Sequence, residues 1–182
     1  MVAVARRRAV VLFLPEEVER EVDAIRRRWD PVMAGRIDAH LTVVHDVTDV
    51  GQAHSLAEAV ATRLPAFQIT LTGAACWGPA RWGIYLGVED HDGGVLALHD
   101  ALAAVEDPRW LRTPYRPHVT LVHGRTVAED VAEAAWAELC GHAASLAARI
   151  DAVHVVESRP GGWVTIDAFH LSAASPVAAP GS

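Results

Sequence analysis

The sequence predicts a mixed α+β fold of two similar lobes, in which two antiparallel β-sheets face a central cleft and helices pack outside. One observation is a repeat, because residues 40–45, HLTVVH, return as residues 118–123, HVTLVH. Another is that short strand and helix patterns alternate along the chain. A third is that strand patterns also occur as neighbouring pairs, which favours antiparallel sheets over a doubly wound parallel sheet. The predicted pairs are 67–72 with 82–88 and 149–157 with 163–172.

The first half of the chain opens with an apolar strand at residues 9–14. The helix that follows begins at Pro15, a favourable first helical position, and ends before Pro31. The first histidine strand comes next. Asp49 then resembles the first residue of a capping box, which predicts a helix over residues 49–64.

The second half repeats this order. A helix over residues 95–105 and a proline-rich approach over 108–117 lead to the second histidine strand. Residues 126–129, TVAE, match a capping box for a helix that runs to about Cys140. The last two strands are joined by the turn at 160–162. Each half thus contains a histidine strand, a capped helix and a strand pair.

Length and composition bound what this chain can be. Its 182 residues fit one domain, predicted as two interleaved lobes over residues 1–174, with a disordered Ala/Pro/Gly-rich tail at 175–182. The net charge of −7 gives no global electrostatic case for binding long nucleic acid, but a local basic patch for a small phosphate stays open. Two cysteines without a CxxC pattern and no membrane-length apolar stretch predict a protein of the reducing cytoplasm.

Strand alternation sorts the four histidines of the repeat. Side chains two residues apart share a face, so His40 lies with Thr42 and His118 lies with Thr120. His45 and His123 stand at odd offsets, and we expect them to point to the opposite faces in structural roles. Two strands that each deliver an imidazole and a hydroxyl to one surface predict a two-histidine acid/base site.

These motifs resemble a known family. The paired segments His40-Leu41-Thr42 and His118-Val119-Thr120 are similar to the His-x-Thr-x signatures of the two-histidine (2H) phosphoesterase superfamily. The context YRPHVTL at 115–121 resembles the bacterial 2′-5′ RNA ligase-like, or RNA 2′,3′-cyclic phosphodiesterase, branch. The resemblance covers residues 8–172 and implies a bilobal fold with metal-independent phosphodiester chemistry and no cofactor.

The resemblance also implies a site. It makes His40, Thr42, His118 and Thr120 the catalytic residues. Two departures stand out: Ala39 replaces a proline that many relatives carry, and His123 replaces an arginine. The predicted substrate-binding residues are Arg36, Arg81, Tyr115, Arg116, His123 and Arg125, with Trp77 and Trp82 as further candidates for base stacking.

The chemistry suits these residue types. Opening a cyclic phosphate requires a base for water and an acid for the leaving ribose oxygen, and imidazoles serve both tasks near neutral pH. We expect His118 to act as base and His40 as acid, with the roles exchanged in the reverse reaction. Each threonine hydroxyl can donate to a non-bridging phosphate oxygen.

The expected function is therefore hydrolysis of a 2′,3′-cyclic phosphate on RNA ends or small nucleotides, with reversible 2′-5′ RNA ligation left open. The partner is a nucleotide or RNA terminus, with no membrane and no obligate protein partner. One alternative is a nucleotide- or RNA-binding module without turnover. The other is a histidine-ligated metalloenzyme, which the threonine partners and the missing H-E-x-x-H pattern disfavour.

Overall fold

A computed structural model describes residues 6–78, 83–141 and 144–173. The predicted tail, Arg81 and Trp82 lie outside this part of the chain. The elements in chain order are β1 (Arg8–Phe13), α1 (Glu16–Trp29), α2 (Pro31–Ala34), β2 (His40–Val44), α3 (Val50–Ala61), β3 (Phe67–Cys76), β4 (Ile84–Asp90), α4 (Gly94–Leu102), a 3-10 turn (Ala103–Val105), β5 (His118–Val122), α5 (Glu129–Leu139), β6 (Leu146–Ile150), β7 (Ala152–Arg159) and β8 (Gly162–His170).

The strands form one antiparallel sheet of eight strands in the order β6-β3-β4-β5-β2-β1-β7-β8. The sheet curls into a half-barrel, which confirms the predicted α+β class. The two sheets expected from the sequence are hydrogen bonded to each other through β5 and β2, the two histidine strands. The repeat therefore lies at the centre of the molecule.

The lobes are interleaved in sequence. The strand pair that follows β2 in the chain, β3 and β4, extends the sheet from β5. The pair that follows β5 and β6, which is β7 and β8, extends it from β1 and β2. Each lobe therefore contains strands from both halves of the chain.

One face of the sheet is covered by helices and carries the main core. Helix α1 packs against β5, α4 against β2, and α3 against β7 and β8. Helix α3 buries three alanines, Ala53, Ala57 and Ala61, so its backbone approaches the sheet closely. The other face of the sheet, which we call the open face, carries the histidine–threonine pairs, because Leu41 and Val119 between them are fully buried in the core.

Both histidine strands contain a β-bulge after the threonine. Val10 pairs with Val44 and Val11 with Thr42, so β2 holds an extra residue, Val43, between these two pairs. Strand β5 shows the same irregularity, because Ile84 pairs with Val122 and Tyr85 with Thr120. Each strand then buries two consecutive residues after its threonine, and the burial patterns are identical. A bulge of this kind inverts the alternation of side chains beyond it.

This bulge corrects the expectation that His45 points away from the histidine–threonine face. Val44 faces the core opposite Val10, so the next residue turns to the open face. The His45 ring stacks on Trp110 at 4.5 Å between ring centroids. The bulge in β5 interrupts the side-chain alternation before His123. That alternation was the basis for expecting His123 to point away from the histidine–threonine face. Its Nδ1 accepts a hydrogen bond of 3.2 Å from the Arg125 N–H.

Several element boundaries also differ from the prediction. The strand expected at 149–157 is two strands, β6 and β7, which are separated by Asp151. The capping box expected at Thr126 is absent: α5 begins after Ala128, and the Thr126 hydroxyl donates instead to Asp30 at 2.7 Å. The cap at Asp49 is confirmed, since its carboxylate accepts from the Gln52 N–H at 3.0 Å. No helix among the described residues is both long and apolar enough to cross a membrane.

Asp30 ties the end of α1 to the end of β5. It is fully buried, and its carboxylate accepts hydrogen bonds from the backbone N–H groups of Met33 at 3.0 Å and His123 at 2.9 Å, and from the Thr126 hydroxyl. We expect Asp30→Ala to lower the free energy of unfolding by about 3 kcal/mol, because buried donors lose their acceptor. Urea denaturation measures this loss.

Asp49→Ala is the matched control, because Asp49 also caps a helix but is exposed. Its loss is expected to be about 1 kcal/mol, the usual cost of a helix cap. Equal losses in the two variants would show that the tie from Asp30 to β5 contributes nothing.

Candidate active site

The two motif histidines are oriented in the same way. The Nδ1 atom of His40 lies 2.7 Å from the carbonyl oxygen of Asp38, and that of His118 lies 2.8 Å from the carbonyl oxygen of Arg116. A carbonyl can only accept, so each Nδ1 carries the proton and donates it. This fixes the tautomer and leaves Nε2 of both rings available to a ligand.

The register of the central strands pairs each histidine with the threonine of the other motif. Leu41 lies opposite Val119 in the antiparallel β2–β5 pair. His40 therefore lies beside Thr120, and Thr42 beside His118, on the open face. No hydrogen bond from either threonine hydroxyl to another described residue is present, so both are free to donate to a ligand.

Burial keeps both imidazoles neutral. The pKa of His40 is lowered to about 4, mainly by desolvation. The hydrogen bond to the Asp38 carbonyl opposes this shift, and the charges of Arg26, His118 and His45 add to it. The pKa of His118 is also lowered, mainly by burial and then by the charges of His45 and Arg116. The depression is larger at His40. Without a ligand, both rings are therefore neutral at neutral pH.

An aromatic cluster surrounds His118. Trp77 and Tyr85 stack on each other at 4.4 Å, and each contacts the His118 ring edge-on, at 5.1 Å and 5.3 Å between centroids. The Arg116 guanidinium donates to the Tyr85 hydroxyl at 3.2 Å and lies 5.7 Å from the centre of the Trp77 ring. This cluster leaves a cation and a half-exposed indole next to His118.

The surroundings of His40 are different. Phe13 on β1 pairs with His40 and contacts its ring edge-on at 6.2 Å. Beyond Phe13 lies a groove of about 710 Å³, whose lining includes Arg36 and Trp163. The structure therefore places the predicted residue Arg36 on the His40 side of the site.

A second layer behind β2 satisfies the backbone groups at the bulge. The Tyr115 hydroxyl donates to the Thr42 carbonyl oxygen at 2.8 Å, and His99 Nδ1 lies 2.9 Å from the Val43 carbonyl oxygen. The rings of Tyr115 and His99 stack at 3.8 Å between centroids. Tyr115 is thus engaged in positioning β2, and its predicted role in substrate binding stays a prediction.

Buried carboxylates hold the far ends of both histidine strands. Glu106 accepts from the His45 N–H at 2.8 Å, and Asp30 accepts from the His123 N–H at 2.9 Å. Both carboxylates follow a helix that crosses the back of the sheet. His45 and His123, the last histidines of the two repeats, therefore have equivalent buried carboxylates, one in each lobe. The six-residue repeat alone did not reveal these carboxylates.

Arg125 lies in a separate pocket of about 290 Å³ together with Arg7, Asp46, Arg109 and Trp110. Asp46 accepts from Arg7 at 2.6 Å and from the Trp110 indole N–H at 3.0 Å. Since Trp110 also stacks on His45, this pocket adjoins the open face at the end of β2. The cations there are partly neutralised by Asp46.

A carboxylate cluster near the start of β2 is the one group among the described residues with the spacing of metal ligands. Glu19, Asp23 and Asp38 have oxygen atoms within 4.8 Å of one another. Asp23 already pairs with Arg26 at 2.5 Å, and the group contains no histidine. The motif histidines use Nδ1 for backbone carbonyls and have threonine neighbours. This donor set does not fit a zinc site.

The structure thus brings together His40, Thr42, His118 and Thr120, with Arg116 beside them. Arg36 lies in the groove beyond Phe13, Tyr115 lies behind β2, and His123 and Arg125 lie past the bulge of β5. Sequence reasoning missed Phe13, Tyr85 and His45. Phe13 and Tyr85 occupy strands next to the histidine strands, and those strand pairings are seen only in the structure.

A curled antiparallel sheet with paired His-x-Thr strands at its centre defines the two-histidine phosphoesterases. The chain belongs to the 2′-5′ RNA ligase superfamily, whose family model matches residues 14–162. A search of curated proteins found no significant match.

Solved structures share this fold. Escherichia coli LigT complexed with 3′-AMP is 21% identical with a TM-score of 0.62, covering 92% of this chain and 98% of LigT. The LigT complex with NADP+ is 20% identical with a TM-score of 0.63 and the same coverage. The protein TT0787 of Thermus thermophilus is 20% identical with a TM-score of 0.66, covering 93% of this chain and 100% of that protein. At this identity the likeness establishes the fold.

The surroundings of His40 predict the pH at which its ring is protonated. We expect the His40 ring to titrate near pH 4 in an NMR experiment, because burial lowers its pKa to about 4. Unfolded His40 titrates near its ordinary pKa of about 6.5, so the unfolded state binds more protons between these values. The contribution of His40 to stability is therefore present above pH 6.5 and is lost as the pH falls toward 4.

Phe13→Ala tests whether burial by the Phe13 ring lowers the His40 pKa. Removing the ring beside His40 admits water and is expected to raise the His40 pKa toward its ordinary value. His118, on the far side of β2, serves as the internal reference. An unchanged His40 midpoint in Phe13→Ala would show that burial by Phe13 is not the cause.

Proposed function

We propose that the protein is a metal-independent cyclic phosphodiesterase that opens 2′,3′-cyclic phosphates on RNA ends or small nucleotides by two-histidine acid/base catalysis. The observation that carries the proposal is the matched orientation of the two imidazoles. Both Nδ1 protons are held by backbone carbonyls, and both Nε2 atoms are left free on adjacent strands. Membership of the family supports phosphoesterase chemistry.

The reaction needs one neutral and one protonated imidazole. The neutral Nε2 removes a proton from water, whose oxygen attacks phosphorus. The bond from phosphorus to one ribose oxygen breaks, and the protonated Nε2 of the other histidine gives its proton to that oxygen. The proton that left water remains on the first histidine and returns to solvent. The products are a phosphate monoester and a free ribose hydroxyl.

The environments suggest how the two roles divide. His40 has the more depressed pKa, so it suits the neutral base. The pKa of His118 is lowered less than that of His40, and the negative charge of a bound phosphodiester would raise it again. We therefore assign His40 as base and His118 as acid in hydrolysis, the reverse of the assignment made from the sequence. Ligation of a 2′-5′ bond would exchange the roles.

The threonines would stabilise the transition state. Thr42 lies beside His118 and Thr120 beside His40, so each hydroxyl is on the open face next to an imidazole. Each can donate to a non-bridging oxygen as negative charge accumulates there. The guanidinium of Arg116, beside His118, adds a nearby positive charge.

A nucleotide is the substrate class that the comparisons support, because LigT structures contain 3′-AMP and NADP+. The net charge of −7 favours a short substrate over long RNA. We also propose a cytoplasmic location, in keeping with the sparse cysteines Cys76 and Cys140.

Replacing either motif histidine is expected to abolish turnover. His40→Ala and His118→Ala should each lower kcat on a 2′,3′-cyclic nucleotide by about 10²- to 10⁴-fold, the usual contribution of acid/base catalysis. The wild-type activity should survive EDTA and show a bell-shaped dependence on pH. The control is His54→Ala, because His54 lies on α3 and pairs with Asp167 at 3.1 Å.

The outcomes separate the alternatives. Loss of wild-type activity in EDTA, restored by a metal, would support the metalloenzyme. Nucleotide binding without turnover would support the binding module. Retained activity in either histidine variant would contradict the proposed mechanism.

Thr42→Val and Thr120→Val test the phosphate contacts. Valine keeps the shape and strand preference of threonine but removes the donor. Each variant is expected to lose roughly 10²-fold in kcat with a smaller change in KM, as when one oxyanion donor is removed. Thr70→Val is the control, since Thr70 lies on β3 and bonds to His91 at 2.8 Å. An increase in KM with kcat unchanged would assign the threonines to ground-state binding.

A further inference from the structure

We infer that the groove beside His40 is a subsite for a second nucleotide, so that the preferred substrate is a short RNA end of at least two nucleotides. This inference rests on the proposed function. We call this groove, which contains Phe13, Arg36, Asp38, Arg159, Trp163 and Thr165, the side groove.

The side groove begins at the candidate active site. Phe13 contacts His40 on one side and lines the groove on the other. Asp38, whose carbonyl oxygen orients the His40 ring, also belongs to the lining. A chain that continues from a phosphate held between the histidines therefore reaches the groove by passing Phe13.

Part of the groove lining, Phe13 and Trp163, is aromatic where a solvent-facing sheet surface is usually polar. Ala9, Val11 and Val156 form a small cluster on the open face, separate from the main core, and Phe13 and Trp163 pack against it. An antiparallel sheet with one face on the core normally presents polar side chains on the other. An aromatic surface in this position is typical of a ligand site.

The rim of the groove is cationic. Arg36 is exposed, and Arg159 is half-exposed with one contact of 3.3 Å to Glu157. The lining contains one carboxylate, Asp38, whose oxygens lie near Glu19 and Asp23. Guanidinium groups beside aromatic rings are the combination that holds the phosphate and base of single-stranded nucleic acid.

The β7–β8 hairpin is built to close the groove. The Trp163 N–H donates to the Arg36 carbonyl oxygen at 2.8 Å, which joins the hairpin to the loop before β2. Gly162 has a φ of +144°, and a Cβ atom there would lie 2.6 Å from that carbonyl oxygen. Glycine is therefore required for this approach, which holds the Trp163 ring near Phe13 before any ligand binds.

The size of the groove limits the ligand. Its volume of about 710 Å³ lies within the usual range of small-molecule sites, roughly 300–1,000 Å³. It accommodates one nucleotide rather than an extended strand, which agrees with the negative net charge of the protein. A cyclic mononucleotide has only one base. It would therefore leave either the side groove or the space beside His118 empty.

The test compares a 2′,3′-cyclic mononucleotide with a dinucleotide that ends in the same cyclic nucleotide. We expect wild-type kcat/KM to be roughly 5- to 150-fold higher for the dinucleotide, the range of one base stacked on an aromatic ring. Trp163→Ala should remove most of this preference, and Trp163→Phe should retain most of it. A hexanucleotide should gain little more; a large further gain would contradict a one-nucleotide groove.

Arginine variants provide a second test of the side groove that leaves its aromatic residues in place. Arg36→Ala and Arg159→Ala should lower the dinucleotide preference and its dependence on salt. Arg63→Ala is the matched control, because Arg63 is exposed on the helix face and bonds to the Ala59 carbonyl oxygen. Thermal unfolding of each variant separates lost folding from lost binding. An unchanged preference in the folded Trp163 and arginine variants would overturn the inference.

Failure of the inference and failure of the proposed function give different results. Equal kcat/KM for both substrates would refute the side groove while hydrolysis stands. If neither substrate is hydrolysed, the proposed function fails, and titration calorimetry with a mononucleotide and a dinucleotide carrying terminal monophosphates then tests the groove. Tighter binding of the dinucleotide that depends on Trp163 would support it, and equal affinity would overturn it.

Discussion

The antiparallel contact between β2 and β5 is the constraint on which the rest of the structure depends. Leu41 and Val119 lie opposite each other there and are fully buried. The same contact joins the two lobes and brings His40 and His118 to adjacent strands. Polar side chains from the helix-covered side hydrogen bond to these two strands or to their far ends: Tyr115, His99, Glu106 and Asp30.

The bulges show how the sheet is adapted to a site. A regular strand would have turned His45 away from the open face and left it in the core. The extra residue in β2 lets two consecutive valines, Val43 and Val44, enter the core, and it leaves carbonyl groups without ladder partners. Tyr115 and His99 supply those partners.

The two histidines have different surroundings in a pseudo-symmetric frame. His40 is covered by Phe13 and is followed by the side groove, while His118 lies against Trp77, Tyr85 and Arg116. Burial makes protonation more costly at His40 than at His118. Equivalent positions thus acquire different proton affinities, which is what a reaction that needs one base and one acid requires.

The sequence by itself determined the main elements and the four motif residues, because hydrophobic period and strand alternation are local properties. It also predicted the α+β class, since strand pairs and helices are read from short segments. Only the tertiary structure decided which strands are neighbours, so the partners of His40 and His118 on β1 and β4 could not be named from the sequence. A bulge depends on the pairing of two strands and not on the residues of one, which is why alternation failed at His45. The repeat of six residues therefore specified the centre of the sheet, and the packing of the lobes specified what surrounds it.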